Sequence, residues 1–95
     1  MFEWDDNKNN QNIDKHGIDF EDAKEIWHNL VIEKPSSQNY HGELRIEAVG
    51  AIDGHIITVI YTPRGDNKRI ISVRKSRENE KEAYEKAFLK LIFGE

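Results

Sequence analysis

The sequence predicts an α+β domain, with a mostly antiparallel sheet flanked by helices. Three observations lead there. Apolar residues recur at helical spacing near both ends: Phe20, Ala23, Ile26, Trp27 and Leu30 in one stripe, and Tyr84, Ala87, Phe88, Leu91 and Ile92 in another. Between them lies an apolar, β-branched run from His55 to Thr62, which suits a central strand. Just ahead of it stands Asp53-Gly54, the signature of a tight hairpin turn.

Each element follows in order. Phe2-Glu3-Trp4 alternates apolar and polar, which predicts a brief strand. Asp5 or Asp6 caps a helix starting near Asn7, and Gly17 ends it. Ile13 is nearly all that this helix offers a core. Asp19 caps a second helix, with Asp22 three residues later as in a capping box. Pro35-Ser36-Ser37-Gln38-Asn39 reads as a loop. A three-stranded meander follows, built from residues 43–51, His55–Thr62 and Arg69–Arg74, with a second turn over Pro63–Asn67. A last helix runs from about Glu78 to Phe93. The expected order is β-α-α-β-β-β-α.

Register follows from the turns. A two-residue turn at Asp53-Gly54 sets Ile52 against His55 and Arg45 against Thr62. If residues 64–67 are the second loop, Thr62 faces Arg69. Arg45, Thr62 and Arg69 then share one face, and Gly50, Ile57 and Arg74 share the other. A shift of one residue reverses these assignments in the third strand.

The composition bounds the function. Ninety-five residues suit one domain, so residues 1–95 are expected to form a single unit. Without cysteine there is neither a disulfide nor a zinc–thiolate site. No apolar run approaches the roughly 20 residues of a membrane span. The start, Met1-Phe2-Glu3-Trp4-Asp5-Asp6, is acidic and lacks the apolar stretch of a secretory signal. The expectation is a soluble, cytoplasmic protein with no membrane partner.

The net charge of −4 hides an asymmetry. Arg64, Lys68, Arg69, Arg74, Lys75 and Arg77 stand against Asp66 alone between residues 64 and 77, a local +5 that leaves −9 elsewhere. Such a block either protects a sheet edge from aggregation or binds an anion, and clustered arginines favour phosphate. Lys8, Asn12 and Lys15 share one face of the first helix, either as solvated residues or as a phosphate-facing row. His16 closes that helix, where the dipole favours a cation. It is either a cap or a general acid. No two histidines have the spacing of a metal site on one helix, so neither a metal nor another cofactor is expected.

Three stretches together resemble the BrnT family, the toxin half of type II toxin–antitoxin pairs. The first is Phe2-Glu3-Trp4-Asp5, then Lys8, Asn12, Lys15-His16-Gly17 and Phe20-Glu21-Asp22-Ala23. The second is His41-x-Glu43-x-Arg45, followed by Gly50. The third is Tyr61-Thr62-x-Arg64-Gly65, then Arg69-Ile70-Ile71-Ser72-x-Arg74-Lys75, Glu80 and Tyr84-Glu85. The resemblance implies a fold similar to RelE-type ribonucleases and metal-independent RNA cleavage that halts translation. It also implies neutralisation by a BrnA-like antitoxin with a ribbon-helix-helix part. DNA would be met only through that complex.

Metal-free ribonuclease chemistry needs a base, an acid and cations around the phosphate. On the matched positions, Arg64 and Arg74 are the expected phosphate-stabilising residues. His16 and His41 are the expected acid–base candidates. Lys8, Lys15, Arg69 and Lys75 are expected to bind RNA, although Arg69 could instead pair with Glu43 or Glu47. Glu80 could act as a base or salt-bridge an arginine, and Tyr84 could support the site or sit in the core. The competing function is a non-catalytic partner in a DNA-binding repressor complex. The apolar face of the last helix, Tyr84 to Phe93, exceeds what a small sheet needs, so part of it, or the sheet edge, is expected to bind the antitoxin.

Overall fold

The computed structural model describes residues 1–37 and 42–94. Its elements are β1 (Phe2–Glu3), α1 (Asp6–His16), α2 (Phe20–Ala23), a 3-10 turn (Lys24–His28), β2 (Ile32–Pro35), β3 (Ile46–Ile52), β4 (His55–Arg64), β5 (Asn67–Lys75) and α3 (Glu78–Phe93). The expected α+β class holds.

Local chemistry sets the helix ends. The Asp5 carboxylate accepts from the Asn7 and Lys8 amides, and Gly17 closes α1 at φ 71°. The Asp19 carboxylate accepts from Glu21 N and from Asn9 Nδ2, and both bonds hold its pKa below the usual value, the Asn9 bond more strongly. The second helix is shorter than its apolar stripe predicts, since one α turn gives way to the 3-10 turn and ends at His28.

The sheet has five strands in the order β1-β5-β4-β3-β2, antiparallel except where β1 joins β5 in parallel. It therefore has two strands beyond the meander. The sequence reading already held β1, but β2 is new to it. Ile32-Glu33-Lys34-Pro35 has no apolar alternation to mark a strand. Tertiary bonds hold it instead: Glu33 accepts from Trp27 Nε1 at 2.9 Å and from the Tyr61 hydroxyl at 2.7 Å. Burial first, and then this bond to Glu33, push the Tyr61 pKa up.

Both hairpins have the expected register at their turns, with Ile52 opposite His55 and Thr62 opposite Arg69. Further along, β5 departs from expectation. Ile60 faces Ser72 while Tyr61 faces Ile70, so Ile71 is an extra residue, a β-bulge. Arg74 consequently faces Thr58 rather than Ile57. The single insertion moves Arg74 from the face of Gly50 and Ile57 to the face of Thr62 and Arg69.

The main core cluster lies on one face, with Val49 and Tyr84 buried on the other. Phe20, Ala23 and Ile26 pack against Ala48, Ile57, Val59, Tyr61, Ile70 and Val73. Gly50 lies beneath Ile26, where an added Cβ would stand 2.6 Å from the Ile26 Cβ. Helix α1 packs along β5 beyond the short β1. There the buried Asn12 accepts from Val73 N at 3.1 Å and donates to Ile18 O at 3.0 Å, satisfying a backbone amide that β1 is too short to reach. The opposite face is crossed by α3. Among the described residues, no helix is long and apolar enough to cross a membrane.

Candidate functional site

The basic block does not act as one patch, because a strand sends its residues to different surroundings. Arg64 and Arg69 stay together at the β4–β5 turn. Lys68 lies over the rings of Trp27 and Tyr61, 5.5 and 5.6 Å from their centroids. Lys75 is exposed at the far end, beside His16 and His55. Arg74 turns to Glu80.

A cleft of about 290 Å³ is lined by Lys8, Glu43, Arg45, Arg64, Arg69, Ile70 and Ile71. Three arginines and a lysine thus converge from α1, the segment before β3, and both arms of the second hairpin. Arg64 reaches Glu43 at 3.3 Å, with the two side chains about half exposed at 51% and 43%. An exposed single contact of that kind is weak and open to competition from a stronger anion. In the sheet, Thr62 pairs with Arg69 and is buried, and its hydroxyl has no hydrogen-bond partner among the described residues.

A second cleft of about 260 Å³ continues from the first along α1, and is lined by Lys8, Gln11, Asn12, Lys15, His16, Ile71 and Ser72. Lys8 and Ile71 belong to both. The bulge at Ile71 therefore sits at the join of the two clefts. The Lys8–Asn12–Lys15 row is split in role: Lys8 and Lys15 are exposed, whereas Asn12 is buried and bonded to β5.

Arg74, expected with Arg64 to stabilise phosphate, lies near the opposite end of the hairpin. The two are six positions apart along β4 in register, about 20 Å at strand rise. Arg74 Nη1 and Nη2 bind Glu80 Oε1 and Oε2 at 2.7 and 2.9 Å. Glu80 also accepts from Thr58 Oγ1 at 3.1 Å and from Arg77 N at 2.7 Å, which caps α3. Hydrogen bonding from Arg74 is the largest cause that lowers the Glu80 pKa to about 2, with the Arg77 amide and Thr58 adding to it against burial. The same pair raises the Arg74 pKa. Tyr84 is buried and donates to Leu30 O at 3.1 Å, and burial raises its pKa. Glu80 and Tyr84 thus anchor α3 rather than line the cationic clefts.

His41 lies outside the described residues. His16 lines the second cleft, away from Arg64. Among the described residues, no group of three or more His, Asp or Glu side chains is arranged to hold a metal ion. Arg45 and Glu43 are the site residues that sequence reasoning left out of its candidates. Their i, i+2 spacing ahead of β3 was the available signal, since it places both on one face if the segment is extended.

The arrangement suits a polyanion with phosphates spaced along a groove, held first by the three arginines and then by Lys8 and Lys15. The family model described as the ribonuclease toxin, BrnT, of type II toxin–antitoxin systems matches residues 4–80. No curated protein matches the chain.

Proposed function

The chain belongs to the BrnT family of ribonuclease toxins of type II toxin–antitoxin systems, and on that premise we propose that it cleaves RNA at the arginine-lined cleft, without a metal ion, and thereby halts translation. The observation that carries this reading is the convergence of Lys8, Arg45, Arg64 and Arg69 around one cleft. Their fixed charges meet the central need of the reaction, stabilising a phosphate that gains negative charge as the 2′-oxygen attacks. The planar guanidinium of Arg64 or Arg69 fits two phosphate oxygens at once. Lys8 and Lys15 continue the track for flanking phosphates. His16 lies on that track and is placed to donate to a leaving oxygen. Arg74 acts through structure, because both its terminal nitrogens are committed to Glu80.

The whole of residues 1–95 works as a single domain in the cytoplasm, neutralised by a BrnA-like ribbon-helix-helix antitoxin and reaching DNA only through it. The exposed end of α3 supports that partner assignment. Phe88, Leu89, Leu91, Ile92 and Phe93 are 44–71% exposed, an apolar surface that the sheet does not cover.

The test is incubation of the purified chain, freed of partner, with a long single-stranded RNA in EDTA, beside Arg64→Ala and Arg69→Ala. Cleavage by the wild type and a loss of about 100-fold or more in either variant is expected. Equal cleavage by all three would place the chemistry elsewhere. No cleavage, combined with repression of a promoter together with the antitoxin, would favour the non-catalytic repressor partner.

A further inference from the structure

We propose that Glu43 is the general base of this site, taking the proton from the ribose 2′-hydroxyl that attacks the adjacent phosphate. This rests on the ribonuclease reading above and adds a catalytic residue to it. Among the described residues, Glu43 is the one carboxylate that lines the arginine cleft. Elsewhere in the fold the candidate carboxylates have other work. Glu80 is locked to Arg74, and Glu33 holds Trp27 and Tyr61.

The contact that occupies Glu43 is well suited to exchange. It is a single 3.3 Å approach from Arg64 Nη2, and the Glu43 side chain is 43% exposed. A phosphate offers Arg64 two oxygens in a planar fork and so competes for it. Once Arg64 turns to the phosphate, Glu43 is left beside the sugar of the same nucleotide with a free lone pair. Lys8, Arg45 and Arg69 remain around it. A base held among cations that bind its substrate's phosphate has the proximity that proton abstraction needs.

The step balances as follows. The 2′-hydroxyl proton passes to Glu43 as the 2′-oxygen bonds to phosphorus. The bond from phosphorus to the 5′-oxygen breaks, and that oxygen leaves with a proton from His16, which water then replaces. The protonated Glu43 then returns its proton to solvent. The products end in a 2′,3′-cyclic phosphate and a 5′-hydroxyl. Arg64 and Arg69 carry the extra charge on the phosphoryl oxygens in between.

The test uses the full chain as wild type, Glu43→Gln and Glu43→Asp. Cleavage of a long single-stranded RNA is followed across pH, and binding is measured on a 2′-O-methyl RNA, which has no attacking hydroxyl. Thermal melts establish that each variant is folded. We expect Glu43→Gln to lower the cleavage rate about 100-fold or more while binding the 2′-O-methyl RNA as well as or better than wild type. The acid limb of the wild-type pH profile disappears in the residual activity of Glu43→Gln, and Glu43→Asp recovers part of the rate. If Glu43→Gln cleaves within about threefold of wild type, Glu43 is not the base although the ribonuclease reading stands. Binding and cleavage lost in equal measure would make Glu43 a structural partner of Arg64 and also overturn the proposal. A wild type that cleaves no RNA overturns both.

Discussion

The Arg74 guanidinium and the Glu80 carboxylate meet in a two-pronged ion pair, 2.7 and 2.9 Å, across the junction of β5 and α3. Their side chains are 19% and 5% exposed. The same carboxylate caps α3 through Arg77 N and reaches Thr58, so one buried group fixes the angle at which the last helix leaves the sheet. Removing one partner leaves a buried charge without its counter-ion. Arg74→Ala is expected to cost about 3–5 kcal/mol in urea unfolding. Lys at this position restores only part of it, because an ammonium cannot make both contacts in one plane. A loss of less than about 1 kcal/mol would show that the pair does not hold α3.

Acid should release the same anchor. The Glu80 pKa lies near 2, below the ordinary 4.5, chiefly because of Arg74. A carboxyl lowered on folding stabilises the native state above its unfolded value, and that contribution is lost as pH falls through the folded value. The window therefore runs from about pH 4.5 down to about 2. The stability curve of Glu80→Gln, measured by chemical unfolding at each pH, is expected to be flatter there than that of the wild type. Parallel curves would contradict the assignment.

The cationic clefts predict a salt signature. On an uncleavable single-stranded RNA, Lys8→Ala, Arg64→Ala and Arg69→Ala are each expected to weaken binding and lower the salt slope by about 0.7. Lys68→Ala and Lys75→Ala should leave the slope unchanged. Lys68 is held over two aromatic rings, and Lys75 lies at the far end of β5. Fluorescence anisotropy across a salt series reads both. Equal slopes for all five would mean that the charge acts as a diffuse field and not as a site.

Truncation after Lys86 keeps Glu80 and Tyr84, the two residues that tie α3 to the body, and removes Phe88 to Phe93. The shortened chain is expected to fold with little loss of stability and to bind the antitoxin at least tenfold more weakly, roughly the 1.4 kcal/mol that one interface anchor supplies. Unchanged affinity in calorimetry would move the interface to the sheet edge.

Gly50 tests the packing of the core face. A methyl group there meets Ile26 Cβ at 2.6 Å. Gly50→Ala is expected to lower stability by about 1–3 kcal/mol, and adding Ile26→Val is expected to recover little, because Cβ remains. Recovery in the double variant Gly50→Ala/Ile26→Gly, relative to Ile26→Gly alone, would locate the clash at that atom. Additive losses would place it elsewhere.

Much of this fold was legible because its signals are local. Asp5, Asp19 and Gly17 mark helix ends by their own chemistry, and Asp53-Gly54 sets a hairpin register by geometry alone. The charge asymmetry and the motif spacing located Arg64 and Arg69, which the fold then brought together in one cleft. Strand β2 was not legible, because it is held by Glu33 bonds to Trp27 and Tyr61 rather than by alternation. The fate of Arg74 also lay beyond sequence. A bulge at Ile71 adds one residue, a strand alternates its faces with every residue, and so the insertion sends Arg74 to Thr58 and Glu80. Local residue chemistry settled most of the elements, though not β2, together with the turns and the sign of the charge on the third meander strand. Which of those charges face a common cleft, and which are spent holding a helix, depends on non-local pairing through a one-residue shift.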